Sequence, residues 1–253
     1  MTNPLDLSTE HLAALAAVAA VSASLCVAAR RRPGRWTWLA GAVLGAVTAG
    51  AELAWIGWLV ARGGWTPAAG LPLQLCDAGA FLAGAALWTR RRGLAELLWF
   101  WAMAGTLQGL LTPATGGPYP GFLWIQYYVA HGGIVASALF LVAGLGVTPR
   151  RGAALRAAGL TAAYAVVVGV VDAATGADYL YLRRPPLEPT LLDAIGRRLA
   201  AWRRWAARRR GREIGLKGPL SVGRPRVPNL RLRGSPSSWI TQAGPLTPRQ
   251  ASP

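Results

Sequence analysis

Six long apolar stretches run through the first 171 residues, and clusters of arginine fall in every second gap between them. That alternation constrains the fold more than any single motif. The stretches are 12–29, 36–60, 71–88, 94–111, 122–145 and 154–171. Each has roughly 18–25 residues, enough to cross ~30 Å of hydrocarbon at ~1.5 Å per residue. In lipid, only helices and closed barrels satisfy their own backbone, and these runs lack the alternation of barrel strands. The expectation is an all-α, polytopic membrane bundle. Asp6 and Glu10 flank the first stretch with no basic residue, the wrong sign for a cleavable signal.

The gaps also set a topology. Gap one holds Arg30, Arg31, Arg32 and Arg35, gap three Arg90, Arg91 and Arg92, and gap five Arg150 and Arg151. Gap two has only Arg62, and gap four, 112–121, has no charge. Basic loops stay in the cytoplasm, so odd gaps are inside and the N-terminus is outside, in a multi-pass protein of the cell membrane. Gly41-x-x-x-Gly45 and Gly105-x-x-x-Gly109 permit close helix approach.

Hydrophobic residues make up 53% of the chain, yet its net charge is +17. Residues 1–196 carry 13 Arg against 9 acidic residues, whereas 197–253 carry 13 Arg and 1 Lys against 1 acidic residue. The excess therefore belongs to the tail, and a nucleic-acid partner is not expected of the membrane portion. The division expected is a bundle over 1–196 and a basic, Pro-, Gly- and Arg-rich disordered tail over 197–253.

Polar side chains in a membrane usually face the bundle interior. Counted from the outer span ends, Glu52, Gln74, Cys76, Asp77, Gln108, Gln126 and His131 all fall within roughly 15 Å of the outer surface. The cytoplasmic halves hold little but Ala, Val, Leu and Gly, with Glu96 placed to pair with arginine at the inner mouth. A polar cavity opening outward follows. Within it, Cys76 and His131 form the reactive pair, since a histidine can deprotonate a thiol into a strong nucleophile. Asp77 or Gln126 is placed to orient the imidazole, and Tyr127 shares a helical face with His131. Cys26 and Cys76 lie near opposite faces, too far apart for a disulfide. No metal-ligand spacing occurs, and no cofactor is expected.

Leu71-Pro72-Leu73-Gln74-Leu75-Cys76-Asp77 resembles a signature of the YwaF-like (TP-type) bacterial integral membrane family. So do Ala104-Gly105-Thr106-Leu107-Gln108 through Leu111-Thr112-Pro113, Gln126 through Ala130-His131-Gly132, and Asp178 through Pro185 continuing to Leu191-Leu192-Asp193. That family is similar to eukaryotic transmembrane protein 164, a lipid acyltransferase acting through a membrane cysteine. The resemblance implies Cys76 as nucleophile and His131 as its partner. It also implies a seventh helix after Gly196, where Arg197 instead opens an arginine run. A frameshift accounts for that abrupt change, and a basic tail binding anionic lipid or nucleic acid is the alternative.

The function expected is acyl transfer on a membrane lipid of the outer leaflet. Cys76, His131 and Asp77 are the catalytic candidates, and Glu52, Gln74, Gln108, Gln126 and Tyr127 the substrate-binding ones. The alternative is a transporter or lipid-binding membrane protein that uses the same cavity without a covalent step.

Overall fold

Ser8 starts the first helix: its hydroxyl accepts from the backbone N–H of His11 at 3.3 Å. The computed structural model describes residues 8–183, and the regular structure among them is all helical, with no strand. The helices are α1 Thr9–Arg31, α2 Trp36–Ala61, α3 Leu75–Thr89, α4 Arg92–Leu111, α5 Phe122–Gly144 and α6 Ala153–Thr175. A short 3-10 turn, Tyr179–Tyr181, follows α6. Five of the six helices are long and apolar enough to cross a membrane, α3 being the shorter one. The protein is thus a polytopic helical membrane protein. The arginine run from Arg197 to Arg212, the residues of the expected seventh helix and the Leu191-Leu192-Asp193 motif lie outside the described residues.

α5 is the axis of the bundle. Of its most apolar window 61% is buried, against 11% for α1 and for α6. α1, α2, α3 and α4 all pack on it, while α6 lies outside against α4. The seam between α2 and α3 depends on missing side chains. A Cβ on Gly45 would lie 3.1 Å from the Cα of Gly84, so the two backbones nearly touch. Gly41, one turn earlier, faces Leu87 and Phe140. The first Gly-x-x-x-Gly pair is therefore a packing surface.

The third span departs from expectation. The apolar stretch opens at Leu71, but α3 begins at Leu75. Pro72 has no N–H to give and pushes Leu71 out of the helical region. Fifteen residues rise only ~22 Å, so the remaining depth is filled by irregular chain. Such backbone survives in a membrane only where protein groups satisfy it. Tyr179 Oη donates to Pro67 O at 2.9 Å and accepts from Leu71 N at 3.0 Å. Tyr164 Oη donates to Leu73 O at 2.9 Å, and Gln74 Oε1 accepts from Leu180 N at 2.9 Å. α6 and the turn after it thus hold the broken start of α3. Leu180 and Tyr181 take left-handed φ angles of 58° and 53° to do so.

The basic gaps meet at one end. Arg30 donates to the Ala143 carbonyl at the end of α5. Arg90 Nη2 donates to Thr37 Oγ1 at the start of α2, 3.3 Å away. Glu96 takes its arginine partners: it accepts from Arg150 Nε at 2.7 Å and from Arg156 Nη2 at 3.1 Å. This cluster ties α4 to the connection that enters α6 and holds the Arg150 guanidinium above its usual range.

Candidate functional site

The opposite end of the bundle contains a cavity of about 540 Å³. Each element reaches it for a different local reason. α2 contributes Glu52 and Trp55 from its last turns, and the broken start of α3 contributes Gln74 and Asp77. α5 presents Gln126, Tyr127 and His131 at helical spacing. Residues 114–116 of the uncharged gap and the turn carrying Asp178, Tyr179 and Tyr181 complete the rim. A larger groove of about 780 Å³ lies between α1, α2 and α5, but its lining is mostly apolar, with Glu10 as its charged residue. Convergent polar groups, not volume, mark the smaller cavity as the candidate site.

Six of the residues expected at the site therefore line one cavity: Glu52, Gln74, Asp77, Gln126, Tyr127 and His131. Two do not. Gln108 turns its amide back on its own helix and donates to Ala104 O at 2.8 Å. Cys76 packs against the apolar core behind the cavity wall, with Sγ 3.7 Å from Thr106 Oγ1.

The imidazole is held differently from expectation. Neither Asp77 nor Gln126 bonds it; Gln126 donates to Ala51 O at 3.3 Å instead. His131 Nδ1 lies 3.0 Å from the Tyr127 carbonyl. A carbonyl only accepts, so Nδ1 carries the proton and Nε2 is left basic. The ring stacks on Tyr127 with centroids 4.0 Å apart. Tyr127 Oη in turn donates to Gly109 O at 2.7 Å. Both rings sit against Gly109, where a Cβ would come 3.3 Å from Tyr127 Oη and 3.5 Å from His131 Cδ2.

Glu52 is only 3% exposed, and its Oε1 has no hydrogen-bond partner among the described residues. A buried carboxyl oxygen so placed calls for water or a ligand group in the cavity. On the rim, burial pushes the phenols of Tyr179 and Tyr181 above the ordinary tyrosine range. Both remain hydrogen-bond donors near neutral pH. Among the described residues, no three His, Cys, Asp or Glu side chains converge as a metal site would need.

The family model of the TMEM164 family matches residues 7–207, well over half of the chain. The chain belongs to the TMEM164 family. No curated protein and no solved structure matches it. The TMEM164 match continues past Gly196, so the opening of the arginine run falls within it. It also takes in every element around the cavity.

Thr106 and Tyr179 were not among the expected site residues, and Gly109 was expected only as a helix-packing residue. All three stood inside matched motifs, so a signal existed. Counting polar residues by depth could not single them out, because Thr and Gly are common in membrane helices. Tyr179 sits beyond the last apolar stretch.

Proposed function

We propose that this TMEM164-family protein transfers an acyl chain between lipids of the outer leaflet, with Cys76 as nucleophile and His131 as general base and acid. The observation that supports the reading is the face of α4 shared by Thr106 and Gly109. Cys76 Sγ lies at Thr106, and the His131 ring lies at Gly109. Three residues along a helix rise ~4.5 Å and return nearly to the same face, so thiol and imidazole meet neighbouring turns of α4. Catalytic hydrogen bonds are often long in unliganded enzymes and tighten when substrate binds.

The Cys76 thiol gives its proton to His131 Nε2, and the sulfur attacks the ester carbonyl of a donor lipid. The C–O bond breaks, and His131 returns the proton to the departing lysolipid oxygen. An acceptor hydroxyl then gives its proton to His131 and attacks the thioester. The C–S bond breaks, and the proton goes back to the sulfur. Cys76 is the second residue of α3, so the positive end of that helix favours the thiolate. Its first-turn N–H groups, which a helix leaves without intrahelical partners, are placed to donate to the oxyanion.

The second reading is non-covalent binding or transport. It is favoured by Cys76 packing behind the wall while Glu52 and Asp77 line the cavity. An electrophilic acyl-lipid probe separates the two. Covalent chemistry requires that Cys76→Ala abolish labelling, that Cys26→Ala preserve it, and that His131→Ala reduce it by about 10²-fold or more. Equal labelling of wild type and Cys76→Ala would sink the acyl-transfer reading.

A further inference from the structure

α4 is not a continuous α-helix. Residues Ala102–Thr106 form a π-turn, where Leu107 N donates to Ala102 O five residues back. Such turns recur at functional sites, because the extra residue redirects a side chain. Thr106 closes this one. Elsewhere in the bundle, Thr48, Thr89, Thr112, Thr161 and Thr175 each donate to the carbonyl four residues back. Thr106 points across to α3 instead, with its hydroxyl 3.7 Å from Cys76 Sγ and the residue 1% exposed.

We propose that Thr106 is a positioning residue, whose hydroxyl donates to the Cys76 sulfur and holds it toward the Gly109 side of α4. The inference rests on the acyl-transfer reading above. A hydroxyl at this place does two things. It occupies one side of the sulfur, so the S–H proton is free to leave toward His131. It then stabilises the thiolate through a charge-assisted bond in a site remote from water. Gly105, just before it, lets α3 approach: a Cβ there would come 2.9 Å from Leu75 Cδ2.

The test is the pH profile of Cys76 alkylation by N-ethylmaleimide, in a Cys26→Ala background so that one thiol is read. The other titratable groups stay the same in every variant: Glu52 from α2, Asp77 from α3, Tyr127 from α5 and Tyr181 from the final turn near the sulfur, and His131 in the cavity. Thr106→Val is expected to move the profile up by about one pH unit, which is about tenfold slower labelling near neutral pH. Thr106→Ser keeps the hydroxyl and is expected to restore the wild-type profile. Thr106→Ala removes the hydroxyl without new branching, and thermal unfolding reports folding for each variant. A folded Val or Ala variant with the wild-type profile overturns the proposal. So does the failure of both to fold, which would make the hydroxyl structural. If the profile shifts as expected while the acyl-lipid probe never labels Cys76, the positioning bond stands and the acyl-transfer reading falls.

Discussion

Gly109→Ala separates the site from the fold. The new Cβ would stand 3.3 Å from Tyr127 Oη and 3.5 Å from His131 Cδ2, closer to the phenol than ordinary contact allows. Neither ring moves freely. Tyr127 is bonded to Gly109 O at 2.7 Å, and His131 is bonded to the Tyr127 carbonyl at 3.0 Å. The rings must therefore shift together by a few tenths of an ångström. Weakening the Tyr127 bond costs about 0.5–1.5 kcal/mol. Replacing a helical glycine by alanine returns up to about 1 kcal/mol. The two effects nearly cancel, so thermal unfolding in detergent is expected to change little. Reactivity should not be so protected, because misplacement of about 1 Å can cost 10²-fold. Labelling of Cys76 by the acyl-lipid probe is expected to fall about tenfold. Gly57→Ala is the control, since nothing lies within 4 Å of its added Cβ. Wild-type labelling in a folded Gly109→Ala variant would refute the claim that His131 works from its seat on α4.

Cysteine-accessibility labelling is expected to place position 116 outside and position 91 inside, and the reverse at both sites would overturn the outward-facing cavity. Tyr179→Phe removes two hydrogen bonds to the chain before α3, at 2.9 and 3.0 Å, and should cost about 1–3 kcal/mol. Proteolytic nicking within 66–74 should rise with it, and unchanged protection would show that other contacts hold this segment. Gly45→Ala is expected to destabilise the α2–α3 seam by about 1–2 kcal/mol, offset in part by helix propensity. Gly50→Ala on the same helix meets nothing within 4 Å and should be neutral or stabilising. Equal thermal shifts for the two would refute the close approach at Gly84.

The sequence by itself determined the helical class, five of the spans to within a few residues, and the end of the bundle that gathers polar groups. It could do so because hydrocarbon is a uniform solvent. Length and charge then specify depth without knowledge of neighbours, which is why Glu52, Asp77, Gln126 and His131 could be assigned to one level. Which way each side chain turns is another matter, since neighbours decide it. Gln108 and Cys76 have the right depth yet do not line the cavity: one bonds Ala104 O and the other meets Thr106. Pro72 keeps α3 from starting at Leu71, but the irregular chain before it is held by Tyr164 and Tyr179, each about a hundred residues away in the chain. The redirection of Thr106 depended on a π-turn with no signature in the local pattern. Depth follows from one residue's transfer energy, whereas orientation follows from contacts among several helices, and only the tertiary structure supplies those.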